Sequence, residues 1–280
     1  MAGVKVSMRK KTGLSVIVIS AFLLTACSTV TKPAGNTDSL ENLQQLSAPP
    51  PQVNPSSDQI NAMREEALKD VALSVGAQAG LHWRSKQINA VLKQKSKLLD
   101  RTYNFNALLL DHNVQPPVLS EARQTLNLDS PDTIRIADRT YEIVSQAKFV
   151  TTSPTWRDYL WMDYPQPPVP NGGILPHNVM EQRLWHDLAK KGWEKGAEQA
   201  DEIYSENLSR LERDYNGMLL YQKLREQNIV SAPFVATTEL GVTGGGENLN
   251  VNDQVLRITA LPALQPNSRR WRPILNKEHQ

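Results

Sequence analysis

Gly192-Trp193-Glu194-Lys195-Gly196-Ala197-Glu198-Gln199-Ala200 places small residues at 192, 196 and 200, in steps of four. In a helix those positions share one face, where a second backbone can come close. Ala72, Gly76 and Gly80 make a matching stripe. The two are expected to pack against each other and set the fold. Around the first stripe Met180, Leu184, Leu188, Leu211, Tyr215 and Leu224 keep helical spacing from Pro176-His177-Asn178 to about Gln227. Forty-eight residues at ~1.5 Å each reach about 70 Å, so a bend is expected near Gly192 or Gly217.

Around the second stripe the sequence predicts two helical stretches. Residues 60–73 follow the N-cap candidates Ser56-Ser57-Asp58, and residues 82–99 carry Trp83, Ile88, Val91 and Leu92 on one side. Their lysines, Lys86, Lys93, Lys95 and Lys97, read as a solvated face. Pro116-Pro117 then stops regular structure and pushes Gln115 to an extended conformation. Beyond it Ile134, Ile136, Tyr141, Ile143 and Phe149 alternate with polar residues, the period of half-buried strands, with a turn at Ala137-Asp138-Arg139. Ser130-Pro131-Asp132 would also start a helix that Ile134, Ala137, Tyr141 and Val144 fit; the alternation favours strands. Residues 234–242 and 249–261 read as strands about a glycine turn at Gly244-Gly245-Gly246, with Asn252-Asp253 as a second turn. The expected fold class is α+β, mainly α-helical with a small antiparallel β-sheet or hairpins.

Residues 155–164, TWRDYLWMDY, hold four aromatics, a density that marks core or interface. Trp156, Tyr159 and Trp161 are the interface candidates. Pro165 to Gly173 is a rigid, then flexible, break, and residues 266–280 read as an exposed basic tail.

The N-terminus has its own logic. Lys5, Arg9, Lys10 and Lys11 precede an apolar run, residues 14–24, that is too short to span a bilayer and ends in Leu24-Thr25-Ala26-Cys27. Those four residues look like a bacterial lipobox, with translation starting at Met1 or Met8 and Cys27 acylated. Ser28 is not the aspartate of inner-membrane retention, so the expected location is the outer membrane, lipid-anchored and facing the periplasm. The expected divisions are a signal peptide 1–26, a Pro/Ser-rich tether 27–57, a folded domain 58–265 and the tail 266–280. The whole chain has 31 basic and 29 acidic residues. The leader holds four of the basic and none of the acidic ones, which leaves 27 against 29, or about −2. That balance gives phosphate backbones no clustered cations, and no direct nucleic-acid binding is expected. With one cysteine in the chain there is neither a disulfide framework nor a thiolate metal site.

No catalytic constellation emerges. His82, His112, His177, His186 and His279 lack metal-ligand spacing, no nucleophile elbow occurs, and Gly244-Gly245-Gly246 is not followed by the Lys and Ser or Thr of a phosphate loop. No cofactor is expected. Hidden carboxylates for cutting murein glycan leave a periplasmic cell-wall enzyme as the alternative reading.

Several stretches together carry a resemblance: residues 76–88 (GAQAGLHWRSKQI), 103–119, 134–150, Trp156-Arg157-Asp158-Tyr159-Leu160-Trp161, Arg213-Asp214-Tyr215-Asn216-Gly217-Met218, 238–246 (TELGVTGGG) and 255–261. Over residues 60–265 and the leader, the chain resembles DotC, the outer-membrane lipoprotein family of type IVB secretion systems, called TraI in related conjugative plasmids. The resemblance implies a scaffold without enzymatic activity, in a multi-copy ring. It would act with a DotD-like lipoprotein to bring a DotH-like component to the outer membrane. It carries over no catalytic residue, and Cys27 alone has assigned chemistry.

Overall fold

A computed structural model describes residues 36–48 and 62–272, within one compact unit; Cys27, the leader and Ser56-Ser57-Asp58 lie outside the described residues. In chain order the elements are α1 (Leu40–Gln44), α2 (Ala62–Gln94), α3 (Ser96–Thr102), β1 (Val114–Gln115), β2 (Val118–Ser130), β3 (Thr133–Ser145), β4 (Lys148–Phe149), α4 (Trp156–Leu160), α5 (Val179–Glu226), β5 (Phe234–Gly244) and β6 (Leu249–Ala260). The α+β expectation holds, with three separate two-stranded antiparallel sheets: β1 with β4, β2 with β3, β5 with β6.

The two glycine stripes meet. A Cβ on Gly76 would fall on the Ala189 carbonyl, one on Gly80 on Trp193, one on Gly192 on Leu73, and one on Gly196 on Ala77. Only hydrogen fits where these backbones touch. Paired positions also advance together: Arg64 lies on Glu181, Gly76 on Ala189, and Arg84 on Asp201. The helices α2 and α5 therefore run parallel, and the chain must travel back along the pair between them. Residues 162–175 are that return. Met162 is held at Asn89, the Tyr164 carbonyl at His82, and the Gly173 and Leu175 carbonyls at Arg64.

Helix α2 is one element where two stretches were expected, because α5 covers Gly76 and Gly80 and repays their poor helix propensity with packing. Helix α5 is likewise continuous through Gly192 and Gly217. Both glycines serve close approach, and Gly217 admits Val118 and Leu119 of β2. The Asn178 side chain caps the start of α5 by accepting from the Glu181 amide at 2.8 Å. Its end closes on Asn228 at positive φ, with the Ile229 amide returning to the Leu224 carbonyl at 2.9 Å.

The core falls into three clusters along this spine. Leu68, Ala72, Trp185 and Trp193 fill the first, Ile88, Phe105, Trp156, Leu211 and Met218 the second, and Leu119, Tyr221, Leu224 and Val230 the third.

Four expectations need correction. The hairpin turn is at Pro131-Asp132, and Ala137 and Arg139 lie mid-strand opposite Thr125 and Arg123, because residues 118–130 supply a partner strand that the pattern had not revealed. Asn252-Asp253 is a bulge and not a turn: Asn252 (φ 57°) and Gly241 (φ 72°) take left-handed backbone where the register shifts, and Asp253 pairs with Gly241. Within the expected tether, residues 36–48 are docked on the domain. Leu43 and Leu46 are buried beside Trp185, whose indole N–H donates to the Leu43 carbonyl at 2.9 Å. The domain also passes its expected limit at 265: the Gln265 amide donates to the Ile229 carbonyl and the Arg272 amide to the Gln227 carbonyl, both at 2.8 Å.

Candidate functional site

The aromatic stretch is built on α4. Thr155 and Asp158 form a capping box, with Asp158 accepting the Thr155 amide at 2.6 Å, so the short helix is held at its start. Trp156, 1 % exposed, points inward, and its indole N–H donates to Asp100 at 2.7 Å. Arg157 donates to the same carboxylate at 2.8 Å and lies over the Trp156 ring at 4.3 Å. Hydrogen bonds from Arg157 and Trp156 hold the Asp100 carboxyl below the usual carboxylate range.

Tyr159 is half-buried. Its ring stacks on Phe105 at 5.8 Å and its hydroxyl donates to Asp214 at 3.1 Å. Burial, then the Asp214 charge, pushes its phenol above the ordinary value, so it remains a donor. Trp161 follows the helix, 46 % exposed. The three interface candidates thus separate in burial: Trp156 lies in the core with its indole N–H bonded to Asp100, and Tyr159 is half-buried. Trp161 is the most exposed of the three.

The surfaces that the sequence reading missed are the two long hairpins. In β2 and β3 only the base is buried, at Val118 and Leu119. Farther out Leu126 pairs with Ile136 and Leu128 with Ile134, all exposed, Leu128 at 72 %. Ten residues past its base, Leu128 stands about 30 Å along the strand. In β5 and β6, Val242 pairs with Val251 and Leu249 stands opposite Gly244, with Val242, Val251 and Leu249 again exposed. A lone two-stranded ribbon is marginal in water, and clustered apolar side chains on its tip mark an interaction surface. The signal was present in the spacing of Leu126 and Leu128 but was legible only with Ile134 and Ile136 as partners.

At the other end of the spine, Glu181 is buried under Arg64, whose Nε and Nη2 reach its two oxygens at 2.7 and 3.0 Å. The His177 amide adds a third bond at 2.8 Å. The Arg64 hydrogen bonds, followed by that amide, hold the Glu181 carboxyl below its ordinary value against the opposing effect of burial. The pair ties the start of α2 to the first turn of α5.

A groove of about 520 Å³ runs between α1 and α5, lined by Glu41, Gln44, Arg183, His186 and Asp187 among others. His186 Nδ1 lies 3.3 Å from Asp187, but among the described residues no hydroxyl or thiol lines the groove for such a pair to activate. Among the described residues no three His, Cys, Asp or Glu side chains gather to hold a metal ion, and no helix is long and apolar enough to cross a membrane.

The family described as type IV secretory system, conjugal DNA-protein transfer (TraI), matches residues 62–273. The chain belongs to this family. The match begins with α2 and takes in the spine, both hairpins and the docked C-terminal residues, so the surfaces described above lie within the family's own part of the chain. No curated protein matches the sequence.

Proposed function

We propose that this type IV secretion protein is a structural outer-membrane lipoprotein of the DotC kind, acylated on Cys27 and facing the periplasm. With a DotD-like lipoprotein it brings a DotH-like component to the outer membrane and scaffolds the channel in a multi-copy assembly, without turnover. The observation that carries the reading is the pair of projecting hairpins with apolar tips, inside the family match and joined to a glycine-packed spine. A scaffold needs arms that end in surfaces for other proteins, and the aromatic Trp161 adds a third contact point.

The tips test this. Leu128→Asp with Ile134→Asp, and separately Val242→Asp with Leu249→Asp, change exposed side chains and should leave stability within about 0.5 kcal/mol. Assembly of the outer-membrane complex and transfer should nevertheless fall to background in both double variants. Full transfer by both, or release of murein fragments by the purified protein, would refute the scaffold in favour of a wall-acting enzyme.

A further inference from the structure

Charge is laid unevenly along the spine. Residues 86–101, the end of α2 and most of α3, carry Lys86, Lys93, Lys95, Lys97 and Arg101 against a single acid, Asp100, which Trp156 and Arg157 already engage. Residues 198–212 of α5 are the reverse. Glu198, Asp201, Glu202, Glu206 and Glu212 stand there against one cation, Arg210, which lies over the Tyr159 ring at 5.4 Å. Asp201 is taken by Arg84 at 2.9 Å. Among the described residues, none of the five cations and none of the four remaining glutamates enters an ion pair, and all nine are exposed.

The spacing gathers each set. Lys86, Lys93, Lys97 and Arg101, at steps of seven and four, share one side of a helical path that continues from α2 into α3, where the Leu99 amide donates to the Lys95 carbonyl at 3.0 Å. Glu198, Glu202 and Glu206 do the same on α5. Like charges at such spacing repel along a helix, so neither run helps the isolated chain. The two runs also stand at nearly the same height. Both ion pairs between the parallel helices join residues 117 apart in sequence, 64 with 181 and 84 with 201. That offset sets residues 86–101 level with about 203–218 of α5, some five residues or about 8 Å beyond the acidic run at ~1.5 Å each.

We propose that the cationic run of one copy packs against the acidic run of a second copy, the two spines side by side, pointing the same way and staggered by about 8 Å. The proposal deepens the multi-copy assembly of the proposed function and rests on it. Each copy offers both runs, so one contact repeats from copy to copy. Val91, 49 % exposed, and Leu98, 62 % exposed, lie within the cationic run and give the contact an apolar part. An anionic lipid surface would also draw the lysines, but it leaves the acidic run at the same height without a role. Complementary charge on the chain itself selects a second copy.

The test mixes heavy-isotope and unlabelled full-length chains at low salt with a carbodiimide, which couples lysine amines directly to carboxylates. Expected are mixed-isotope crosslinks from Lys86, Lys93, Lys95 or Lys97 to Glu198, Glu202, Glu206 or Glu212, at least tenfold fewer at about 0.5 M salt. Lys86→Glu with Lys93→Glu and Lys97→Glu should stop tagged and untagged copies from co-purifying. Glu198→Lys with Glu202→Lys and Glu206→Lys should do the same. The two triple variants mixed together, or both sets in one chain, should restore co-purification, which a mere folding defect would not. Copies that co-purify without these crosslinks, or that stay together in both triple variants, overturn the proposal and leave the multi-copy scaffold standing. Copies that never co-purify overturn both. If only the lysine reversal acts, and what it abolishes is binding to phosphatidylglycerol vesicles, the proposal is overturned in favour of a membrane face.

Discussion

Gly196→Leu should cost the protein about 3 kcal/mol or more of stability, seen as a lower midpoint in urea. Leucine is the better helix former by nearly 1 kcal/mol, so an isolated helix would gain from the change. The opposite sign follows from packing. A Cβ at 196 lands on the carbonyl of Ala77 and lies 2.8 Å from the Leu81 amide nitrogen, and backbone atoms in the middle of α2 cannot swing aside as a flexible side chain can. The neighbouring glycines close the alternatives: Gly76, Gly80 and Gly192 meet the facing backbone equally closely, so a shift that frees 196 presses on the others. Gly172→Ala is the control, since nothing lies within 4 Å of that site. An unchanged midpoint in Gly196→Leu would mean that α2 and α5 are not packed through their stripes.

Trp156→Ala and Trp161→Ala should part company, although both belong to one aromatic stretch. Trp156 is enclosed with Leu160, Met162 and Leu211, and its removal costs burial and leaves a cavity, together about 4 kcal/mol. In a chain of this size that lowers the melting temperature by about 10 °C. It also removes one of the two bonds that hold Asp100 and frees Arg157 from the ring. Trp161→Ala removes an exposed ring and should change stability by no more than about 0.5 kcal/mol. Assembly defects in the two variants then have different origins: lost fold in the first, lost contact in the second. Equal melting temperatures for both would show that the indole of Trp156 is not in the core.

The residues themselves explain what could be read in advance. The stripes at Gly76 and Gly192 were legible because only close approach rewards small residues at steps of four. Their parallel arrangement was not, since spacing on one helix says nothing of the direction of the other; that is fixed by a connection that carries two strands out and Pro-rich chain back. Ser130-Pro131-Asp132 suits a helix start and a tight turn equally well, so the hairpin turn was misplaced until Leu126 and Leu128 found Ile136 and Ile134 across the strands. The docked segment 36–48 hid within Ser and Pro. Leu40, Leu43 and Leu46 at steps of three were its only local sign, and the groove beside Trp185 that rewards them is made by residues some 140 positions away. Trp156 opens the five-residue helix and Trp161 follows its end, and nothing local says which of the two turns inward.

The most direct measurement is co-purification from gently extracted outer membranes of cells carrying the whole secretion system, with a tagged chain and Cys27→Ser in parallel. Expected is recovery of DotD-like and DotH-like proteins with the tagged chain, and loss of the DotH-like protein from the outer membrane in the Cys27→Ser strain. Recovery of the chain alone, with the other components unmoved by Cys27→Ser, would contradict the scaffold.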